Sequence, residues 1–285
     1  YALFAGGSNF NISNASYIVD AYNTSLTRTI ASDLLGSNAQ GNATHNESYA
    51  LIGTSAIVTA YNSTLTRAQP DDLNGGAHQS ASAPVGQYAL FVSSMANNNN
   101  GAATAYDGSL TKTTPDSDST YRFNTAGGTV NSYALIAGGG VGISQTPDVI
   151  TYDTSLTKGI AESLSFNASP PITTTIGSTA IFTNGTVINS YNETLSKTIV
   201  DSFPQSMSGS VATVCGQYAV FCRGSNQTMY ALNGTLTRST PPALPAVRNG
   251  ISASSNNKYA LFAGGRSTDN RTFFANVYVY TDNGD

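Results

Sequence analysis

The feature that most constrains this chain is a strand-like phrase that the sequence repeats seven times. The first copy reads Tyr-Ala-Leu-Phe-Ala-Gly-Gly over residues 1–7, and successive copies begin 39 to 48 residues apart. Internal repeats at such a period are typical of architectures that array one supersecondary unit many times. The seven copies begin at Tyr1, Tyr49, Tyr88, Tyr133, Thr179, Tyr218 and Tyr259.

A second phrase follows each of the first six copies and stands at a constant distance before the next copy. It reads VDAYNTSLTRT over residues 19–29, and its leucine always stands 23 residues before the next copy of the first phrase. All variation in length falls between the two phrases. We infer that packing holds the constant segment and that the other loop is free to change. The leucines are Leu26, Leu65, Leu110, Leu156, Leu195 and Leu236.

Each unit is interpreted as four short antiparallel strands whose side chains change from small to bulky to charged. The second strand is apolar and stops at small residues, the third alternates apolar with polar residues, and an Asn or Asp turn leads to the fourth. The fourth carries a cation, which on an outer edge strand prevents edge-to-edge aggregation and points away from the ring. These cations are Arg28, Arg67, Lys112, Lys158, Lys197 and Arg238.

The segment before each second strand is rich in Ser, Ala, Thr and Gly. Small side chains suit the innermost strand of a radial array, where the sheets converge on an axis. The predicted inner strands that carry the signal are residues 80–83, 125–128, 172–175, 210–213 and 251–254.

The sequence therefore predicts an all-β fold, a seven-bladed β-propeller of four-stranded antiparallel blades with incomplete terminal blades. One domain spans residues 1–285. A six-bladed ring would leave an extra hairpin, and an open solenoid would expose apolar faces at its ends without a capping repeat. The approximate blades are residues 1–30, 41–69, 78–115, 122–161, 168–200, 207–241 and 248–285.

The repeat resembles the kelch family. The resemblance lies in a hydrophobic strand that runs into Gly-Gly, at residues 6–7, 138–139 and 264–265, and in an aromatic residue on the third strand. More narrowly, YALFAGG followed by VDAYNxSLTRT resembles the kelch-like propellers encoded by Gram-positive gut bacteria and their phages. The tryptophan usual in kelch repeats is absent, since the chain has none. The resemblance implies the fold, which hosts many functions.

Composition narrows the function classes. Charged residues make up 10% of the chain and the net charge is −4, so no nucleic-acid partner is expected. No apolar run is long enough to cross a bilayer, so no membrane insertion is expected. Abundant Asn, Ser, Thr and Gly are typical of extracellular, cell-surface or virion β-structure. In a tight hairpin, Cys215 would pair with Tyr218 and Cys222 with Val211, which argues against a disulfide.

The variable loop between the second and third strands is the predicted binding region. Loops of variable length on a rigid scaffold are where recognition usually occurs. The long versions are residues 6–18, 93–102, 138–148 and 264–276, and amide, arginine and aromatic side chains there suit a glycan or a polar protein surface. The candidate ligand-binding residues in these loops are Asn9, Phe10, Asn97, Asn98, Arg266, Asp269, Arg271 and Phe273.

Two further arginines stand at equivalent places, because Arg122 and Arg248 each precede a copy of the first phrase by 11 residues. They are candidate ligands for a carboxylate near the axis. The favoured interpretation is that they brace the blade-to-blade connections.

No catalytic constellation is expected. The histidines His45 and His78 occupy non-equivalent repeat positions without metal-ligand spacing, and we expect no metal or cofactor. The sequence predicts a non-catalytic recognition module that binds a surface glycan or receptor protein. The alternatives are a structural or assembly domain, packed against neighbouring subunits of a phage tail or large surface protein, and a carbohydrate-active enzyme.

Overall fold

The structure is a computed structural model that describes residues 1–7, 15–36, 41–76, 81–93, 102–117, 122–141, 144–167, 170–256 and 258–282. Within these ranges the chain forms seven radial antiparallel sheets, and a short 3-10 turn at Gly224–Asn226 is the one helical element. None of the described residues forms a helix that could span a bilayer. The predicted seven-bladed propeller is confirmed.

The first three blades comprise strands β1 to β11. Blade one has three strands and blades two and three have four each. The strands are β1 (Ala2–Ala5), β2 (Val19–Tyr22) and β3 (Arg28–Ala31); β4 (Asn42–His45), β5 (Tyr49–Thr54), β6 (Ile57–Asn62) and β7 (Arg67–Ala68); β8 (Ala81–Val85), β9 (Tyr88–Ser93), β10 (Ala102–Tyr106) and β11 (Lys112–Thr113).

Blades four to seven comprise strands β12 to β28. Blade four also carries a small hairpin, β14 and β15, beyond its four-stranded sheet, and blade seven has three strands. The strands are β12 (Ala126–Val130), β13 (Tyr133–Ala137), β14 (Gly140–Val141), β15 (Ser144–Gln145), β16 (Val149–Asp153) and β17 (Lys158–Ala161); β18 (Ile172–Ile176), β19 (Thr179–Thr183), β20 (Ile188–Tyr191) and β21 (Lys197–Val200); β22 (Val211–Cys215), β23 (Tyr218–Arg223), β24 (Thr228–Asn233) and β25 (Arg238–Ser239); β26 (Asn249–Ser255), β27 (Tyr259–Arg266) and β28 (Val277–Thr281).

The small-residue strands form the hub, as the composition predicts. Strand β8 lies against β4 and β12, and β22 lies against β18 and β26. Packing is tight enough that a Cβ added at Gly127 would lie 2.1 Å from the carbonyl oxygen of Ser82. The hydroxyl of Ser82 in turn donates to the carbonyl of Ala43 across 2.8 Å. Small side chains are therefore required by the convergence of the sheets.

The ring closes between blades seven and one. Strand β1 lies against β26, and Asn256 donates from Nδ2 to the carbonyl of Asn23 across 2.8 Å. The same bond joins blades two and three, where Asn46 donates to the carbonyl of Asp107 across 2.7 Å. The closing contact therefore repeats an internal contact between neighbouring blades.

Bulky side chains pack between neighbouring sheets outside the hub. Phe182 and Tyr191 are both fully buried, and their rings meet edge to face with centroids 5.9 Å apart. They join a cluster with Leu135 and Val149 of the preceding blade. Each blade thus buries its apolar residues against a neighbour, and edge-to-face aromatic pairs add about 1 kcal/mol beyond area burial.

The repeat leucine has an unusual backbone conformation. At all six positions φ lies between 59° and 63°, in the left-handed region that usually favours glycine. At Asp153, the side-chain oxygen accepts bonds from the amides of Ser155 and Thr157, which fixes the turn around Leu156. The Leu156 side chain is 8% exposed within the interblade core. Packing of the side chain, complete at Leu156 and partial at Leu65, Leu110, Leu195 and Leu236, explains why leucine rather than glycine occupies this position.

Five of the six connections between blades are held by the third and fourth strands of the next blade. In blade two, the Tyr61 hydroxyl donates to the carbonyl of Ser32 across 2.5 Å, and Arg67 donates to the carbonyl of Asp33 across 2.6 Å. Two consecutive carbonyls of the connection are thus bound, which accounts for its constant length. The corresponding bonds in later blades are Tyr106 to Asp71, Lys112 to Asp72, Tyr152 to Asp116, Lys158 to Ser117, Tyr191 to Glu162, Lys197 to Ser163 and Arg238 to Ser202.

The cations of the fourth strands therefore do more than the sequence predicts. They do lie on outer edge strands, but five of the six reach to the connection from the preceding blade. The exception is Arg28 in blade one, which pairs with Asp20 across 2.7 Å. The sequence predicts the outer position of these side chains but not the bonds that five of them make to the connection from the preceding blade.

Both cysteines are buried and free. Cys215 pairs with Tyr218 and Cys222 with Val211 in the β22–β23 ladder, as predicted. The Cys215 thiol donates to the carbonyl of Tyr280 across 3.2 Å. Burial raises the pKa of the Cys222 thiol to about 12, so it is almost entirely protonated at neutral pH.

The buried tyrosines predict a loss of stability in alkali. Burial raises the pKa of Tyr61 and of Tyr280 from 10.0 to about 12, and raises the pKa of Tyr106 and Tyr191 further. The stability that the neutral, buried tyrosines contribute is therefore complete below pH 10.0, which is their pKa in the unfolded chain. It is lost as pH rises through the folded-state pKa of about 12. Urea unfolding over this window should give a falling free energy of unfolding.

Ultraviolet titration of tyrosinate on the folded protein supplies the matching measurement. The buried rings should ionise after the exposed ones, and Tyr61→Phe should reduce the loss of stability. A free energy of unfolding that stays constant from pH 10 to 12 would contradict the burial of these hydroxyls.

Candidate ligand-binding face

The loops that join the second and third strands, called the 2–3 loops below, lie on one face of the ring together with the connections between blades. In blades one, four and seven they share one base, built on the Gly-Gly pairs. The amide of the first glycine donates to the carbonyl of the residue that stands just before the third strand. The carbonyl of the second glycine accepts from the amide of a residue two positions earlier in the chain than that one. The bonds are Gly6 to Ile18, Ser16 to Gly7, Gly138 to Asp148, Thr146 to Gly139, Gly264 to Asn276 and Phe274 to Gly265.

In blades four and seven the second glycine of the pair is required by both conformation and space, whereas Gly7 in blade one has φ 110° and free space for a Cβ. Gly265 has φ 86°, and an added Cβ would lie 3.0 Å from the carbonyl oxygen of Asn249 and 3.1 Å from Cβ of Arg248. Gly139 has φ 93°, and its added Cβ would meet Thr125 at 2.7 Å. The Gly-Gly pair thus brings the loop base against the start of the inner strand.

Arg122 and Arg248 hold these loop bases from beneath. Arg248 is 2% exposed and donates to the carbonyls of Gly264 and Asn276 across 3.0 and 3.5 Å. Arg122 is 5% exposed and donates to the carbonyl of Asp148 across 3.1 Å. The bracing interpretation thus finds support in these bonds, although the braced element is the 2–3 loop of the same blade. Their burial leaves little of either guanidinium open to a ligand near the axis.

The guanidinium of Arg248 is also enclosed by aromatic rings. It lies 4.4 Å from the ring centroid of Phe274 and 4.5 Å from that of Tyr278, and it donates to the Tyr278 hydroxyl across 2.7 Å. Cation–π contacts of this kind strengthen when water is excluded. The Nε atom has no hydrogen-bond partner among the residues that the structure describes, so the cluster relies on the remaining bonds to offset burial of the charge.

Beyond this brace, the seventh 2–3 loop extends as a hairpin. Arg266 pairs with Phe273 in an isolated antiparallel bridge, and the Ser267 amide donates to the carbonyl of Thr272 across 2.9 Å. At the tip, Asn270 has φ 60° and its amide donates to the carbonyl of Ser267. The tip is therefore an ordered turn. The hairpin comprising residues 266–273 is called the seventh-blade hairpin below.

The four seventh-loop candidates predicted from the sequence have different roles on this hairpin. The Asp269 carboxylate accepts from the Ser267 hydroxyl and the Arg271 amide, and these bonds hold its pKa below the usual value. It therefore organises the turn. Arg271 is exposed, Phe273 is 44% exposed, and Arg266 is partly buried at the hairpin base. Arg271 and Phe273 are the side chains placed to meet a ligand.

Two exposed side chains next to this hairpin were missed by sequence reasoning. Tyr17 and Ile18 end the 2–3 loop of blade one, and they are 47% and 52% exposed. Blade one is the neighbour of blade seven, so both loops lie in one sector of the face. An aromatic residue directly before the third strand was the available signal. The candidates Asn9, Phe10, Asn97 and Asn98 lie outside the residues that the structure describes.

The described residues contain no group of three or more His, Cys, Asp or Glu side chains that could hold a metal ion. The side chains exposed on the described part of this face include Arg271, Phe273 and Tyr17. Such groups bind through hydrogen bonds, charge and ring stacking.

The fold defines the class of protein: a seven-bladed β-propeller. No protein-family model matches the chain, and no curated protein matches it. Among solved structures it is similar to the protein described as "Structure of YjhT", with TM-score 0.60 and 10% sequence identity. That match covers 85% of this chain and 94% of the other. At this identity the likeness shows the fold.

Proposed function

We propose that this chain is a non-catalytic recognition module of an extracellular, cell-surface or virion protein. It binds a glycan or a receptor protein through the 2–3 loops. The observation that carries the proposal is the seventh-blade hairpin, which exposes Arg271 and Phe273 above the base held by Arg248. A propeller fold alone is consistent with many functions, so the proposal depends on these side chains.

A braced hairpin favours recognition for an energetic reason. Ordering a flexible loop on binding costs roughly 0.5–1.5 kcal/mol for each immobilised side chain. Here the turn is already ordered by Asp269 and the base by Arg248. An exposed aromatic ring beside a guanidinium provides a stacking surface and directional donors, which suit both sugar rings and polar protein surfaces.

The test is the double variant Arg271→Ala, Phe273→Ala, assayed on a printed glycan array. We expect binding to fall by about tenfold or more, because a hydrogen-bonding charge and a stacking ring are both lost. The melting temperature should change by no more than about 2 °C, since both side chains are exposed.

The matched control is Glu193→Ala, an exposed residue in the turn between the third and fourth strands of blade five. It lies on the opposite face and should leave array binding unchanged. If the double variant binds as well as the wild type but melts at a much lower temperature, the hairpin has a structural role and the proposal is wrong.

A second candidate function is an assembly domain of a phage tail or large surface protein. One observation favours it: Ile30, Ile160 and Ile199 are 64%, 82% and 61% exposed on the outer strands of blades one, four and five. At the equivalent places, the other complete blades have Gln69, Thr114 and Thr240, each followed by proline. Exposed apolar edges without proline favour strand pairing. Light scattering tests this second function. If the outer strands pair between copies of the chain, the protein should self-associate in solution, and Ile160→Lys should abolish that self-association.

A further inference from the structure

Positive charge on the 2–3 loops is confined to two neighbouring blades. Three arginines end a second strand or lie in the loop after it: Arg223 ends β23 in blade six, Arg266 ends β27 in blade seven, and Arg271 lies in the seventh-blade hairpin. Inner strands β22 and β26 of these blades lie side by side. The corresponding segments of the other five blades contain no lysine or arginine. The cations therefore occupy one sector of the face, called the basic sector below.

Within the basic sector, the guanidinium of Arg271 is not held by a neighbouring carboxylate. Its side chain is exposed and forms no ion pair among the described residues. The nearby carboxylate of Asp269 is occupied by the Ser267 hydroxyl and by the backbone amide of Arg271. The guanidinium is consequently available to an anion, with the half-exposed ring of Phe273 two residues away.

The connections between blades sharpen this asymmetry. Five of the six connections carry one or two acidic residues, whereas the connection from blade six to blade seven, residues 240–248, carries none. The connections into blades four and seven each end in one arginine, Arg122 and Arg248. A protein with net charge −4 thus has one basic sector on its loop face. A local positive field on an otherwise acidic surface selects and steers anionic ligands. The acids of the other connections are Asp33, Asp71, Asp72, Asp116, Asp118, Glu162 and Asp201.

We propose that the basic sector binds an acidic glycan, whose carboxylate pairs with Arg271 while a sugar ring stacks on Phe273. This inference rests on the proposed recognition function and adds the chemical class of the ligand. A guanidinium forms charge-assisted bonds to carboxylates that it cannot form to neutral sugars. Neutral glycans would retain only the stacking contact.

The experiment measures binding of the whole chain to polygalacturonate and to the same polymer after reduction of its carboxyl groups, with a glycan array of acidic glycans and their neutral parents alongside. We expect the acidic members to bind about tenfold or more tightly, as one charge-assisted bond allows. Added salt should weaken that binding.

Arg271→Gln should remove most of the preference for the acidic member of each pair while leaving the weaker neutral binding. The matched control is Arg28→Gln, which removes the same charge from the exposed outer strand of blade one and should retain the preference. Equal binding to acidic and neutral partners would overturn this inference and leave the recognition function standing. Absence of binding to every glycan tested would overturn this inference and leave a receptor protein as the ligand of the proposed function. Loss of preference in Arg28→Gln would overturn the assigned position.

Discussion

Replacing Gly127 with Ala is expected to destabilise the propeller by about 3 kcal/mol, the upper end of the usual cost of overpacking. The added Cβ would lie 2.1 Å from the carbonyl oxygen of Ser82 and 2.7 Å from its carbonyl carbon. Both contacts are to the backbone of the neighbouring inner strand, which cannot move aside without shifting a blade. Urea unfolding measures the change in the free energy of unfolding.

Gly234→Ala is the matched control, because an added Cβ there meets nothing within 4 Å. Its effect should stay within about 0.5 kcal/mol, as for most surface substitutions. Gly127 does not have a positive φ, so the contrast isolates the steric effect. If the two variants were equally stable, the convergence of inner strands at the hub would be wrong.

The order of the strands could be predicted from the sequence because each strand has its own composition. Small residues, such as those over 81–83, are compatible with the hub, and cations such as Arg67 mark the rim. The constant spacing after Leu26 also pointed to a packed segment. These signals are periodic, so each blade repeats the evidence of the others.

The partners of the cations could not be predicted in the same way. Arg67 reaches the carbonyl of Asp33 because one blade lies close to the next. Every residue has a backbone carbonyl, so the sequence does not indicate which carbonyl accepts the bond. The left-handed conformation of Leu156 was hidden for a similar reason. Leucine normally argues against such a turn, and only burial of the side chain between blades explains it.

The long loops that form the candidate site could be predicted from the sequence, but the structural roles of their residues only in part. Variable length indicated the 2–3 loops, and arginine with phenylalanine indicated the seventh of them. The roles of the individual residues depend on the three-dimensional structure. Arg248 is buried beneath the hairpin, Asp269 holds its turn, and Arg271 and Phe273 are exposed. The burial of Arg248 depends on the backbone hydrogen bonds of Gly264 and Gly265 at the base of the hairpin. Local sequence alone does not encode these bonds.

The second large effect is expected from covering one face of the ring with polymer. The native thiols are buried, and the raised pKa of Cys222 keeps it unreactive. A single introduced cysteine can therefore be coupled selectively to maleimide-polyethylene glycol. Thr268→Cys places the polymer at the tip of the seventh-blade hairpin, and Ser63→Cys places it in a turn on the opposite face; both positions are exposed.

Binding of the two coupled proteins to the glycan array tests most directly the claim that the 2–3 loop face recognises the ligand. Coupling at position 268 should abolish array binding, because the polymer excludes ligands from Arg271 and Phe273, and coupling at position 63 should leave binding at the wild-type level. The opposite pattern, with binding retained at 268 and lost at 63, would contradict the account.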